Sequence, residues 1–537
     1  MTALSSNDVI ELDAAVVGAG VTGIYQLYRL REQGHNVRIL EAGSGVGGTW
    51  FWNRYPGARF DSESYSYGYF FSEELMDEWT WSEEYASQPE IERYLNYVVD
   101  KFGLRPLIDF DARVRSAVWS EALKRWDVET ERGGRYRARF LITALGILSA
   151  PQFPSAPGLS DYRGEAYHTG LWPDEEISFA GKRVAVIGTG SSGVQIAPIV
   201  AREADHLTVF QRTPNWCTPI NNKAIDAERA AELRRTMGEI YEATLRSPAG
   251  GIYSPTPGSL LAASPDEQRA HLDRLYSAPG LSMVLNNFAD VGMDVAANTI
   301  VTDYLAAKIK ERVDDPAIAE LLIPTDHYFG QKRPPLEDGY YEIFNRDNVT
   351  LISTEEEPIE RFTESGLRTN LRDHEFDMII LATGFEAVVG SYNRIDIRGR
   401  NGASLKDHWA EGPRTYLGLQ SAGFPNLLFV GGPQSTTGNI PRSTEPQVDW
   451  VTRLLGWMDD HGVSVVETNL DAENDWIDHI HEGVAGKLLE KAESWAFGSN
   501  VEGSARAYRL YAAGVPQYRE QLTKAEHDGY RGFTFTN

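Results

Sequence analysis

Gly18-Ala19-Gly20-Val21-Thr22-Gly23 follows the apolar run Ala14-Ala15-Val16-Val17, and the spacing returns at Gly188-Thr189-Gly190-Ser191-Ser192-Gly193 after Val184-Ala185-Val186-Ile187. A turn of this kind between a strand and a helix holds a dinucleotide. The first glycine allows a tight turn, the second lets backbone approach a pyrophosphate, and the third lets the helix pack close to the strand. The helix start, with Thr22 in the first turn and Val194 just past the second, supplies N–H groups and a positive dipole end to the phosphates. One such turn is a weak signal, because small-residue turns are common. Two in one chain, roughly a domain apart, imply two dinucleotides that must meet, as a flavin meets the nicotinamide that reduces it.

The residues after each turn tell the two sites apart. The run Val37-Arg38-Ile39-Leu40 ends in Glu41, a carboxylate that accepts hydrogen bonds from ribose hydroxyls and repels a 2′-phosphate. The run Leu207-Thr208-Val209-Phe210 leads instead into Gln211-Arg212-Thr213, where a guanidinium and a hydroxyl suit a 2′-phosphate. The first site is therefore assigned to FAD and the second to NADPH.

Strands and helices must hold these turns, and the chain reads as α/β, with two Rossmann-like dinucleotide-binding domains and a helical insertion. Residues 1–150 form the first part of the FAD domain, with Pro151, Pro154 and Pro157 at the boundary. Residues 151–220 form the first part of the NADPH domain, 221–328 a helical insertion within it, and 329–385 its second part. Residues 386–537 return to the FAD domain and cover the active site. In the insertion, Ser264-Pro265-Asp266-Glu267 carries the signals of a helix start with a capping box. Val301, Tyr304, Leu305 and Ile309 keep helical spacing.

Composition narrows the class. A length of 537 residues suggests about three to four domains. The net charge of −26, without a block of lysines and arginines, argues against nucleic acid or an anionic membrane as partner. The single cysteine, Cys217, excludes an internal disulfide, a redox dithiol and a cysteine-based zinc site; it reads as a small apolar residue, and no metal is expected. The stretch MTALSSNDVIELD has acids and no apolar core, so no signal peptide is expected. No run of about 18 apolar residues suggests a membrane span. The expectation is a cytoplasmic enzyme, monomeric or a small homo-oligomer.

Longer signatures add a family. Tyr162-Arg163-Gly164-Glu165-Ala166-Tyr167-His168-Thr169-Gly170-Leu171-Trp172-Pro173 resembles the F-x-G-x-x-x-H-x-x-x-W-P signature of Baeyer–Villiger monooxygenases, with tyrosine in place of phenylalanine. Gly47-Gly48-Thr49-Trp50-Phe51-Trp52-Asn53-Arg54-Tyr55-Pro56-Gly57-Ala58-Arg59-Phe60-Asp61 resembles a second signature, and Gly330-Gln331-Lys332-Arg333-Pro334-Pro335 a third. The resemblance runs from about residue 12 to the C-terminus and is nearest to the phenylacetone, cyclohexanone and terpenoid-ketone oxygenating members.

The resemblance implies that NADPH reduces FAD, that O2 adds at flavin C4a, and that the resulting peroxide attacks a ketone to give an ester or lactone. Arg333 matches the family's catalytic arginine, a permanent cation for the peroxide and the tetrahedral adduct. Asp61 matches the aspartate that pairs with it beside the flavin. Gly48, Thr49, Trp50, Phe51, Trp52, Tyr67 and Val114 fall where the family contacts FAD. Arg59, Lys332 and Trp495 fall where it contacts NADPH, Lys332 beside Arg212 and Thr213 at the 2′-phosphate. His168 and Trp172 are expected to act structurally at the hinge between the nucleotide domains. Arg442, in a polar loop over residues 431–442, replaces a residue usually apolar in cyclohexanone-oxidising relatives. It is expected either to admit a polar or acidic substrate group or to turn outward. The rival reading is a sibling flavin monooxygenase acting on amine nitrogen or sulfide sulfur, which lacks the Trp-Pro ending found here at Trp172-Pro173. A redox sensor without turnover would need neither Arg333 nor a pocket, and a dithiol reductase is excluded by the single cysteine.

Overall fold

The computed structural model describes residues 9–435 and 438–537. Residues 1–8 of the N-terminal stretch, and Thr436 and Thr437 of the loop before Arg442, lie outside the described residues. Two sheets organise the chain. The first has a parallel centre in the order Ile108–Asp109, Val37–Leu40, Val9–Val17, Arg135–Thr143 and Leu427–Phe429. An antiparallel pair, Val114–Ser120 and Arg125–Thr130, extends it, with Asp396–Arg398 on the far edge. The second sheet is wholly parallel, in the order Val349–Ser353, His206–Gln211, Arg183–Ile187, Met378–Leu381 and Glu165–His168. Parallel strands are covered on both faces and so read as continuous apolar runs. Ala14, Ala15 and Val16 in one sheet, and Val184, Ala185 and Val186 in the other, have no exposed surface.

The chain therefore crosses between the sheets twice, after Thr143 and after Leu381. The two crossings run side by side. Pro151 bridges Phe385, Gln152 N–H donates to the Gly384 carbonyl and Glu386 N–H to the Ala150 carbonyl, both at 2.9 Å.

The helical segment between the halves of the second sheet packs on both cores. Its first helix, Ala227–Arg246, buries Leu233 in the core of the first sheet and meets Val515–His527 and Ser64–Tyr67. The later helices Pro265–Ser277 and Val295–Arg312 send Leu272, Leu275, Val301, Tyr304, Leu305 and Ile309 into the core of the second sheet. Ser264 caps the former with a capping box to Glu267. The long helix Ile440–Asp460, capped by Asn439, lies along the first fingerprint helix Val21–Glu32. Side-chain bonds Thr22–Thr444 at 3.2 Å, Tyr25–Asp449 at 2.9 Å and Gln26–Thr452 at 3.2 Å join the pair. Among the described residues no helix is long and apolar enough to cross a membrane.

Candidate active site

The two glycine turns have one geometry. Gly18 has φ +106° and Gly188 φ +109°, and an added Cβ would lie 2.7 Å from the Ala144 carbonyl oxygen or 2.4 Å from that of Ala382. A β-carbon at Gly23 or Gly193 would meet the carbonyl oxygen of Gly18 or Gly188 at 1.9 or 2.1 Å. Only glycine allows this turn and this closeness of helix to strand. Gly48 faces the first turn and would place a β-carbon 2.8 Å from the Gly20 Cα. The result is a bare backbone cradle.

Glu41, 4% exposed, closes one end of the cradle. Its Oε2 accepts from Ala19 N–H at 2.6 Å and its Oε1 from Gly43 N–H at 2.7 Å. Burial pushes the carboxyl up and these N–H bonds pull it back. A carboxylate has about four acceptor positions, so each oxygen keeps capacity for a ribose hydroxyl.

A cavity of about 890 Å³ runs from this cradle to the second fingerprint helix. It stands in the upper part of the ~300–1,000 Å³ range of small-molecule sites. Gly18, Gly20, Thr22, Glu41, Gly48, Thr49, Trp50, Trp52, Asp61, Tyr67 and Val114 line it from the first unit, and Ser191 and Ser192 from the second. Arg59, Arg333 and Trp495 line it as well, so both fingerprints open on one space.

Asp61 and Arg333 meet on this wall. Arg333 Nε donates to Asp61 Oδ2 at 3.0 Å, and Nη2 donates to the same oxygen. Both side chains are 37% exposed, a setting in which an ion pair is worth only about 0–1 kcal/mol. The pair therefore orients the guanidinium more than it stabilises the fold. The Arg333 carbonyl accepts from Asn215 Nδ2 at 3.2 Å, which anchors the loop to the segment after His206–Gln211. Lys332 next door is held by Asp326 at 2.7 Å, and Asp326 in turn faces His327 Nδ1 at 2.6 Å.

The Tyr55-Pro56-Gly57 turn joins the two units. The Tyr55 hydroxyl donates to Gln195 Oε1 on the second fingerprint helix at 2.6 Å, and burial pushes its phenol up to about 12, so it stays a donor. Gly57 has φ +89°, and a β-carbon there would lie 2.6 Å from the Gln195 carbonyl oxygen. The glycine of this signature is thus demanded by contact between the units.

The pyridine nucleotide-disulphide oxidoreductase family matches residues 15–243, the stretch that holds both fingerprints. A Baeyer-Villiger monooxygenase of Pseudooceanicola batsensis is 40% identical over 97% of this chain and 95% of its own. The chain belongs to the Baeyer–Villiger monooxygenases. The phenazine N-monooxygenase PhzNO1 of Lysobacter antibioticus is also 40% identical, over 98% of this chain and 97% of its own. The crystal structure of OTEMO complexed with FAD and NADP superposes with a TM-score of 0.95 at 42% identity, covering 98% of this chain and 100% of that one.

Not every residue expected at a cofactor in this Baeyer–Villiger chain reaches the cavity. Gly23, Gly188, Thr189, Gly190, Gly193 and Val194 stay outside its lining. The third glycines serve helix packing, the Thr189 hydroxyl donates to the Thr213 carbonyl at 3.1 Å, and Val194 is fully buried in the second core. Phe51 lies instead against Gly43 and Gly45, under the guanidinium of Arg54 at 4.5 Å. Arg212 is exposed at its strand end and, with Thr213 and Lys332, is not part of the lining.

His168 stands where the crossings meet. Its Nδ1 accepts from Gly170 N–H at 2.9 Å, so Nε2 carries the proton and donates to the Gln152 carbonyl at 3.2 Å. Burial lowers its pKa and keeps it neutral. Trp172 is buried against Tyr167 and Phe179. The Tyr162 hydroxyl, absent from the usual phenylalanine, donates to the Phe376 carbonyl at 3.0 Å.

Arg442 corrects both expectations held for it. It neither enters the cavity nor turns outward: its side chain has no exposed surface. Its Nη2 donates to the Gly68 carbonyl at 2.9 Å and to Glu445 at 2.5 Å, and the guanidinium stacks on Phe70 at 4.2 Å. Burial pushes the Glu445 carboxyl up to about 7, with Arg442 opposing the rise. Arg113, beside the expected Val114, was not anticipated: it lines the cavity and its charge lowers the Glu41 carboxyl. Its only signal was a cation next to a residue already marked.

Proposed function

We propose that the chain is an NADPH- and O2-dependent, FAD-containing Baeyer–Villiger monooxygenase that converts a ketone to an ester or lactone. The balance is ketone, O2, NADPH and one proton giving ester, NADP and water. The carrying observation is the single cavity on which both glycine fingerprints open and on whose wall Arg333 is held by Asp61. When bound, FAD reduced by NADPH supplies the activated oxygen.

The chain's own residues bind, orient and stabilise. Gly18, Gly20 and Gly48 leave room for a pyrophosphate, and Glu41 takes the ribose hydroxyls of FAD. Ser191 and Ser192 at the second helix start, with Arg212, Thr213 and Lys332, take NADPH; Lys332 exchanges Asp326 for the 2′-phosphate. Arg333 faces the negative charge that develops on the transferring oxygen and on the carbonyl oxygen. It cannot give up its proton, so it stabilises that charge without quenching it. Trp495, Tyr508 and Leu510 line the cavity from the C-terminal segment, and large apolar side chains there would help keep water from the reacting oxygen. The domain division at 150, 220, 328 and 385, a cytoplasmic setting, and a ketone with O2 as the partners complete this reading.

The test is FAD-loaded enzyme with NADPH in air and a panel of linear, cyclic and aryl ketones, following NADPH loss and product mass. Ketone-stimulated NADPH use with a product one oxygen heavier is expected. The N-oxygenating relative gives the second reading its support, so a phenazine belongs in the panel. An N-oxide from it, with every ketone untouched, would sink the ester-forming assignment.

A further inference from the structure

A second cavity of about 290 Å³ adjoins the first. Segments distant in sequence enclose it: residues 247–255, 284–292 and 487–489, with Phe329, Gly330 and Gln331 on the side toward Arg333. Gly330, Gln331 and Leu489 line both cavities, so the two spaces touch within a few residues of Arg333. Pro248, Val284, Leu285, Phe288 and Val291 make the wall apolar.

Two groups in this wall lack partners. Ser247 is 3% exposed, and its hydroxyl has no hydrogen bond among the described residues. Such an atom is unfavourable until something pairs with it. Lys487 is the one charged residue in the lining, is half-exposed, and makes no ion pair among the described residues. It is held near the reacting end: Gln331 Nε2 donates to the carbonyl of Leu488 at 2.6 Å, tying residues 487–489 to the loop that carries Arg333. An apolar space with one unpaired buried hydroxyl and one free cation in its lining fits an amphiphile.

We propose that this cavity takes the body of the ketone substrate and that Lys487 binds an anionic group on it, so that the preferred substrates are keto acids with an apolar skeleton. The proposal rests on the oxygen-inserting reading of the adjoining cavity. The chain's net charge of −26 repels anions at long range. Salt screens that repulsion beyond a Debye length of about 8–10 Å. A preference for the acid over an uncharged analogue therefore has to come from local contact.

The probe pair is 9-oxodecanoate and its methyl ester, tested on FAD-loaded enzyme with NADPH in air. The expected KM for the acid is about fivefold below that for the ester, equivalent to about 1 kcal/mol. Lys487→Met brings the ratio of the two KM values to about one, Lys487→Glu inverts it and Lys487→Arg preserves it. Decanoate, which has no ketone, gives a readout without turnover. Titrated calorimetrically into the holoenzyme, it should bind about fivefold more weakly to Lys487→Met than to the parent. Equal KM values in the parent, or a ratio unmoved in Lys487→Met, overturn the proposal. Failure to oxygenate any uncharged ketone counts against the oxygen-inserting reading instead, and decanoate binding still reports on Lys487.

Discussion

At the scale of single residues, function turns on Arg333 and the carboxylate that aims it. Removing one preorganised donor from a charge-stabilising site costs roughly 10²–10³ in rate. Arg333→Ala should therefore lower ester formation by about that factor while NADPH oxidation continues, releasing its oxygen as hydrogen peroxide. Asp61→Asn keeps an acceptor for Arg333 but loses the charge, and a fall of about fivefold at most is expected from a partly exposed pair worth up to about 1 kcal/mol. Product analysis against NADPH consumption checks both; unchanged coupling in Arg333→Ala would remove the arginine from the chemistry. The meeting of these two residues was legible because each sits in a long signature. Arg442 was not. Its burial depends on Gly68, Phe70 and Glu445 converging on it, and no local spacing announces that convergence.

At the scale of elements, the helix Ile440–Asp460 carries an ionisable core contact in its first turns. Glu445 faces Arg442 and Asp449 on its own helix, Arg519 from Val515–His527, and the N–H of Phe70. Its folded pKa of about 7 stands above the ordinary carboxylate value of 4.5. The folded state thus holds the extra proton between these limits. The associated stability is fully present below about pH 4.5 and is lost as pH rises through about 7, on the order of 3 kcal/mol in all. Glu445→Gln cannot titrate, so parent minus variant stability should decline from pH 5 to pH 8 in thermal unfolding. Parallel curves would show that Glu445 does not ionise in this range. Strands and helix starts were readable from apolar runs, glycine turns and the capping box at Ser264. The placement of Ala227–Arg246 on the first core was not, because its polar, alanine-rich sequence specifies a helix without specifying the neighbour.

At the scale of the whole molecule, the units touch through the Tyr55-Pro56-Gly57 turn and the second fingerprint helix. Gly57→Ala adds a methyl where backbone leaves 2.6 Å and φ is +89°, so the units must shift apart. The expected result is a rise of several-fold in NADPH spent without ester, with a Tm lower than the parent's. Gly103→Ala is the control, since φ there is +61° but nothing lies within 4 Å. If both variants uncouple alike, contact between the units is not the cause. The two-unit plan was visible from the duplicated fingerprint, whereas the closeness of the units shows only in three dimensions.

The paired crossings have a topological consequence. Every strand of the second sheet lies between Ala150 and Glu386 in the chain, and those two residues are joined by a backbone hydrogen bond of 2.9 Å. The backbone of the intervening stretch thus leaves and re-enters the first unit at one spot, although Ala227–Arg246 within it packs back on the first core. An insertion with adjoining ends imposes almost no strain on its host. A short peptide closing residue 150 onto 386 would span the gap and keep every strand of the first sheet, at the cost of the helix Ala227–Arg246 that buries Leu233 in the first core.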